Sequence, residues 1–516
     1  MRIEMDRRDF IKSVTALSAA DTLLNFHRAM ALDTAQASQP VRVIDLRPDD
    51  VTTIMGERGQ LTGGLKSCTA VSGFDSPQAS VVWTVNAPKE DDYAAGLIFS
   101  TPEQSQIEVR AGESVLRTQS LPRTWEDRPF YWRQELPGLL HLKAGKNRIV
   151  FRLPEAKQAN ASKPEECGKH PGSQLSQDFS LWSIELGTPD ARKSQLVRAK
   201  EIRGDASWMI SGKYGQFVHW SPEGYAFNGN QPRWQWNQKA VKMFNVKVFA
   251  DAVERTGAAW IVFTVTHAGF FFWPGPSESV DKVLPGRTAK RDLLGEIIAE
   301  LDRRGIRTLF YMDSCIRGLQ DPEWAKALGA LDADTTKYGS NIEAILRESS
   351  LRYGKKLHGY GYYDNAFSVD YALDPPWEGW ARAIKAGNPA AVVGFSSSRG
   401  PDVSPFSELS VTDGGSRLIE PDLALIGPGR QLGDVTPAWW CAMDGWIFKG
   451  PMNGKIGNGP RHPAQDYVSY FQQMAEAKIP VTINLIITAD VTSKHPIFND
   501  RCVAVMDEVR KTIRGK

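Results

Sequence analysis

The sequence predicts an α/β protein: a (β/α)8 TIM-type barrel preceded by an antiparallel β-sandwich. Three observations predict it. Short alternating segments separated by turn residues fill the first part of the chain. From about residue 200, strands that are apolar throughout alternate with amphipathic helices. Protic residues then stand where those strands end.

At 516 residues the chain can hold two domains. Its 62 Lys and Arg against 60 Asp and Glu leave a formal charge of +2, so the overall balance calls for neither nucleic acid nor an anionic membrane. No apolar run reaches about 18 residues, so no transmembrane helix is expected. Of 16 Trp, 12 lie between Trp208 and Trp446. That concentration suits a large core or a cleft that sets aromatic faces against sugar C–H surfaces.

Residues 1–37 read as a leader. DRRDFIKSVTALSAA places Arg7 and Arg8 before Phe10, Ile11 and Lys12, which resembles a twin-arginine export signal and implies a periplasmic or secreted protein. Ala29-Met30-Ala31 and Ala35-Gln36-Ala37 offer cleavage sites. Asp21 interrupts the apolar segment, and an amphipathic N-terminal helix is the competing reading. Cys68, Cys167, Cys315, Cys441 and Cys502 are scattered with no C-x-x-C pair, which argues against a zinc cluster and a disulfide framework. Cys68 and Cys167 fall in one domain, where a pairing is open.

The sandwich is expected over residues 40–195. SVVWTVNA, AAGLIFST, SQIEVRAG, NRIVFRL and FSLWSIEL are short, β-branched and aromatic-rich, and Gly, Pro, Asn and Asp separate them. LHLKAGKNRIVFRL with a later FSLWSIELG resembles the galactose-binding-type sandwiches that serve as carbohydrate-binding modules. Trp125, Tyr131 and Trp132 are either a sugar platform or core.

The barrel is expected over residues 200–516. AAWIVFTVTHAGF, TLFYMD, HGYGYYD, AAVVGFSSS and VTINLIIT read as strands. AKRDLLGEIIAELDRRGIR, IEAILRESSLRYG, GWARAIKAGNP, PAQDYVSYFQQMAEAKIP and FNDRCVAVMDEVRKTI read as helices. Such alternation means a parallel sheet covered by helices, and about 300 residues suit a closed barrel better than an open sheet. No G-x-G-x-x-G follows the first strand and no P-loop occurs, so the nucleotide-binding open sheets lose support.

Barrel enzymes collect their chemistry at the C-terminal ends of strands. His219 and Trp220 follow KYGQFV, Thr266 and His267 end WIVFTVTH, Asp313 ends TLFYMD, and Tyr362 and Asp364 end HGYGYYD. Imidazoles and carboxylates at successive strand ends suit a sugar pocket: imidazole bonds hydroxyls, and carboxylates act at the anomeric carbon. Taken singly, Asp364 also suits the cap of a following helix, His219 and His267 suit core histidines, and TDGG around Asp413 suits a plain turn. His358, at a strand start, reads as structural. No His/Asp cluster has metal-ligand spacing, and no metal or cofactor is expected.

The blocks YGQFVHWSPEGY, FNVKVFADAVERTGAAWIVFTVTHAGFFFW, KRDLLGEIIAELDRRGIRTLFYMD, GYGYYDNAF and GNPAAVVGFSSSRGPDVS together resemble the catalytic domain of α-L-fucosidases (glycoside hydrolase family 29), over about residues 205 to 490. The resemblance implies a retaining exo-glycosidase with Asp364 as nucleophile and His219 and His267 on ring hydroxyls. Trp220, Asp313, Tyr362, Trp446, Trp234 and Trp236 are further candidates to bind substrate. The acid/base is implied at Asp413, with Glu408 and Glu420 as alternatives. Four positions depart from the family pattern: Thr266 for the first of a His pair, Ala268 for an Asp, Met443 for an Arg, and Asn365 for a Gly. These departures bear on which sugar is accepted more than on the chemical step.

The expected partner is a glycan or glycoside substrate, with no nucleic acid, no membrane span and the oligomeric state open. Two other readings stand beside it. One is a carbohydrate-binding protein that has lost its acid/base, marked by Asp413, Glu408 and Glu420 all pointing away from Asp364. The other is a hydrolase of a different sugar or a modified polysaccharide, marked by an open cleft with Arg233, Lys449 or Lys455.

Overall fold

The computed structural model describes residues 42–67, 70–101, 105–121, 132–156, 179–220, 233–267, 270–313, 321–332, 336–364, 376–395, 404–413, 415, 417–418, 435–445, 459–488, 491 and 496–515; at 67, 119–121, 132, 233, 362–364 and 412–413 only the backbone is described. The expected leader, the Cys68–Cys167 pairing, Cys315, Trp125, Tyr131, Ala268, Asn365, Glu420, Trp446, Lys449 and Lys455 lie outside what is described, as do the side chains of Trp132 and Arg233.

Among the described residues thirteen strands build the N-terminal unit: β1 (Val43–Asp45), β2 (Thr52–Met55), β3 (Gln60–Thr62), β4 (Lys66–Ser67), β5 (Val71–Ser72), β6 (Ser80–Ala87), β7 (Asp91–Ser100), β8 (Ser105–Ala111), β9 (Ser114–Leu121), β10 (Trp132–Glu135), β11 (Leu140–Leu142), β12 (Gly145–Arg152) and β13 (Ser180–Gly187). One sheet runs β1-β6-β12-β8-β9 with β3 beside β6; the other runs β10-β7-β13-β5-β4 with β11 on β7 and β2 on β13. β12 and β13, the two strands behind the carbohydrate-module likeness, therefore lie in opposite sheets. Period-two alternation sends Val81, Trp83, Val109, Ile149 and Phe151 inward from the first sheet against Leu97, Phe99 and Leu181 of the second. Phe74 packs edge-on against Phe151 and Phe179 at centroid distances of 5.4 and 5.5 Å.

The outer face of the second sheet meets the barrel. Met55, Ile98 and Trp182 belong to the same buried cluster as the barrel helices, and burial of each such side chain stabilises by about 1.5–3 kcal/mol. Helix α1 (Pro189–Ile202) follows β13 and is started by the Thr188 side chain, which accepts from Ala191 N, and by Pro189 in its first turn. From α1, Arg192 reaches back to Glu185 of β13 (2.5 Å), which also accepts from Arg133 Nε and Nη2 of β10 (2.9 and 2.7 Å).

Among the described residues eight parallel strands follow: β14 (Tyr214–Val218), β15 (Trp260–Thr266), β16 (Arg307–Asp313), β17 (Leu357–Asp364), β18 (Val392–Phe395), β19 (Leu409–Asp413), β20 (Thr436–Ala442) and β21 (Val481–Asn484). Their order is β18-β17-β16-β15-β14-β21-β20-β19. Between the two ends of that series, Glu408 N donates to Val393 O (3.0 Å) and Phe395 N to Ser407 Oγ (3.2 Å), joining the segment before β19 to β18. The helices that cover the wall include α2 (Ser207–Gly212), α3 (Arg233–Met243), α4 (Val246–Arg255), α5 (Glu278–Val283), α6 (Leu293–Arg303), α7 (Pro322–Leu328), α8 (Thr336–Tyr353), α9 (Trp377–Ile384), α10 (Ala464–Glu476) and α11 (Asp500–Arg514).

The barrel interior is a packed core. Phe217, Trp260, Val262, Leu309, Tyr311 and Trp440 fill it, and Met209 of α2 joins them from the N-terminal end. Gly215 is required here, because a Cβ at that position would stand 2.2 Å from Trp260 Nε1. No described helix is long and apolar enough to cross a membrane.

Candidate active site

Four consecutive strands of the wall end in a protic residue. His219 follows β14, His267 follows β15, Asp313 ends β16 and Asp364 ends β17. Strand register puts Asp313 directly beside Asp364. Alternation explains the placement: Phe217 and Tyr311 point into the barrel, so His219 and Asp313, two residues on, occupy the same side one layer higher.

Ring contacts tie the site together. His219 and His267 meet edge-to-face at 4.9 Å, and each lies near Tyr311, at 5.2 and 5.8 Å. Phe217 packs beneath His219 (3.8 Å) and against Trp440 (4.3 Å), giving the site an aromatic floor. Thr266 Oγ1 donates to the Asp313 carbonyl (2.7 Å), locking the ends of β15 and β16. Beyond His267 the chain is anchored where Asp321 accepts from Phe271 N (2.9 Å) and from Arg287 Nη1 (2.6 Å).

Asn484, at the end of β21, sets the state of His219. Its Nδ2 donates to Gly445 O, so its Oδ1 is the atom that accepts, at 3.2 Å, from His219 Nδ1. Burial, and after it the neighbouring His267, push the His219 pKa well below the usual histidine value. His219 is thus a neutral imidazole protonated on Nδ1, and Nε2 is its acceptor nitrogen. Sequence reading missed Asn484, although a polar residue ending an apolar strand is the signal that singled out Asp364.

Asp413 ends β19 in register with Trp440, which places its backbone at the same end of the barrel as Asp364. Tyr362 is level with Tyr311. Two expectations, Trp220 and Trp236, are corrected. Trp220 is 2% exposed and packs with Phe244 and Phe263 (5.0 and 6.2 Å) in the core between wall and helices, because it faces opposite to His219 along the chain. Trp236 packs on that same core with Lys239 Nζ above its ring, whereas Trp234 is exposed on the first turn of α3.

Glu408 lies at the other end of the barrel. Its carboxylate accepts from Gly204 N (2.8 Å) and Val393 N (2.7 Å) and pairs with Lys385 (2.7 Å). Val393 is level with Tyr360, four residues before Asp364, so Glu408 sits about 13 Å below the site at about 3.3 Å per residue. Burial pushes its carboxyl up despite Lys385, but the group braces the wall. Asp444, just past β20, likewise braces Ile486 N (2.9 Å). His358 sits at the start of β17 beside Trp208, away from the site. Among the described residues no group of three His, Cys, Asp or Glu is placed to hold a metal, and Cys441 and Cys502 are buried and form no disulfide.

Residues 236–365 match the α-L-fucosidase family model. The matched stretch begins on α3, takes in β15 and β16, and ends one residue past Asp364. No curated protein matches the chain. Among solved structures, an α-L-fucosidase from Bacteroides thetaiotaomicron is similar at 16% identity and a TM-score of 0.42, over 60% of this chain and 74% of that one. An α-L-fucosidase from Lactobacillus casei in complex with α-L-fucose is similar at 14% and 0.41, over 60% and 98%. The family match indicates a glycoside hydrolase. Residues 236–365 of the barrel that follows the N-terminal β-sandwich are therefore α-L-fucosidase-like.

Proposed function

We propose that the protein is a retaining exo-glycosidase that removes a terminal α-L-fucosyl group, or a sterically related sugar, through a covalent intermediate on Asp364. The observation that carries this reading is the run of His219, His267, Asp313 and Asp364 on four adjacent strand ends, the last three of them inside the family match. Asp364 attacks the anomeric carbon as the aglycone leaves with a proton from the acid/base. Water, deprotonated by that same group, then releases the sugar with retention. Asp413 is the first choice for acid/base, since a retaining pair needs its carboxyls about 5 Å apart at one end of the barrel. Glu420 is the second. Neutral His219 accepts a hydrogen bond from a ring hydroxyl through Nε2, and His267 and Asp313 hold neighbouring hydroxyls. A twin-arginine leader over residues 1–37 and a periplasmic or secreted location belong to the same reading.

Initial rates on 4-nitrophenyl α-L-fucoside, beside a panel of other aryl glycosides, test the sugar. Turnover of the fucoside above the rest is expected. Preference for another glycoside would move the specificity, and inactivity across the panel would favour a binding protein or a polysaccharide enzyme.

The Asn484 contact gives a second test. In Asn484→Asp a carboxylate faces His219 Nδ1, favouring the protonated ring and removing the Nε2 acceptor. The kcat/KM is expected to fall about tenfold near neutral pH, the scale of one buried hydrogen bond. Because the raised histidine pKa must be passed before the acceptor returns, the variant recovers as pH rises. A pH–rate profile parallel to that of the parent would contradict the role.

A further inference from the structure

The net charge of +2 conceals a concentration of cations on the sandwich. On the first sheet, the face turned away from the core carries Arg110 of β8, Arg117 of β9, and Lys146, Arg148 and Arg152 of β12. Arg117, Arg110 and Arg152 have side chains 66%, 43% and 40% exposed, and Lys146 and Arg148 are exposed as well. On β8, β9 and β12 the described positions of this face hold one acid, Glu108. It lies in register between Arg117 and Arg152, accepting from Arg117 Nε (2.8 Å) and Arg152 Nε (2.8 Å), with Arg110 Nε at 3.5 Å. At the edge of the sheet Asp45 is engaged by Asn86. The next cross-strand row is Val115, Arg110, Val150 and Val82, in which Val82 is buried and Val115 and Val150 are half-buried on either side of Arg110.

We propose that this face binds a carboxylated polysaccharide, a chain containing uronic acid residues. Three features select that ligand. Five cations against two acids, Glu108 and, at the edge, Asp45, give a field that attracts a polyanion. Glu108 displays the recognition in miniature, because a carboxylate already fits between guanidiniums of neighbouring strands, in the charge-assisted geometry that arginine favours. Val115 and Val150, flanking Arg110, offer apolar surface to sugar C–H faces, whereas no aromatic side chain stands among these described positions to stack a nucleic-acid base. The second sheet packs its outer face on the barrel, so the cationic face looks away from the catalytic domain and is placed to hold a polymer. The choice of polysaccharide over other polyanions rests on the glycosidase reading of the barrel; the charge pattern does not.

The test is calorimetric titration of the full chain with a size-defined polygalacturonate oligomer. The same oligomer with its carboxyls reduced, a sulfated oligosaccharide of equal length and a single-stranded DNA are titrated beside it. The carboxylated oligomer is expected to bind, more weakly as salt rises, and its reduced form is not. Lys146→Glu with Arg148→Glu is expected to weaken binding about tenfold or more, leaving the thermal midpoint and aryl α-L-fucoside turnover as in the parent. Equal binding of the reduced oligomer, tighter binding of the sulfated chain or DNA, or a double variant that binds like the parent would each overturn the proposal. A parent that binds polygalacturonate but turns over no aryl glycoside would count against the barrel reading and leave this one standing.

Discussion

Asp364→Asn is expected to lower kcat on an aryl α-L-fucoside by about 10³-fold or more, the scale on which enzymes lose rate when a nucleophile is removed. The amide keeps the size and most of the hydrogen bonding of the carboxylate but cannot donate an electron pair to the anomeric carbon. Folding is expected to be unaffected, since the residue is the last of β17, past the strand's apolar body. The smaller Asp364→Gly opens space for an external nucleophile. Added azide is expected to restore turnover and to yield the β-fucosyl azide, because azide attacks from the face the carboxylate occupied. Retention of most activity in Asp364→Asn would assign the nucleophile elsewhere.

The second large effect concerns the joint between the domains. Glu185→Gln is expected to destabilise the protein by about 3–5 kcal/mol, the cost of breaking a buried ion pair from one side. Arg133, 2% exposed, loses its close counter-ion and keeps Glu135 at 3.8 Å. Arg192 of α1 loses its tie to β13. Although burial raises the Glu185 carboxyl, Arg133 and Arg192 outweigh it and hold the pKa down to about 2. A carboxyl depressed in the folded state contributes stability that is fully present above its unfolded value of 4.5 and fades as pH falls toward 2. The gap in urea midpoint between parent and variant is therefore expected to be widest near neutral pH and to narrow below about pH 4.5. Replacing the pair with Arg133→Met and Glu185→Leu is expected to recover much of the loss. A gap independent of pH would contradict the electrostatic account.

The sequence made most of this architecture legible because two periods carry it. SVVWTVNA and NRIVFRL alternate every second residue and became β6 and β12, while WIVFTVT and TLFYMD, apolar on both faces, became β15 and β16. β19 and β20 were harder to see. LSVTD is short and half hydroxylic, TPAWWCA opens with a proline, and no described helix separates Phe395 from Thr436 to keep the rhythm. At the site, strand-end position singled out His219, His267, Asp313 and Asp364. Facing was less legible. Trp220 sits beside a site histidine in sequence yet turns into the helix-side core, and Glu408 is five residues from Asp413 yet at the barrel's other end, because a strand runs between them. Asn484 contributes through a partner 265 residues away, a relation that no local pattern encodes.

The measurement that tests the central claim most directly is labelling with 2-deoxy-2-fluoro-α-L-fucosyl fluoride, followed by peptide mass mapping. The account predicts one fluorofucosyl group per chain, carried on the peptide containing Asp364 and absent in Asp364→Asn. A label on a different carboxylate, or turnover of fucoside with inversion and no trapped adduct, would contradict it.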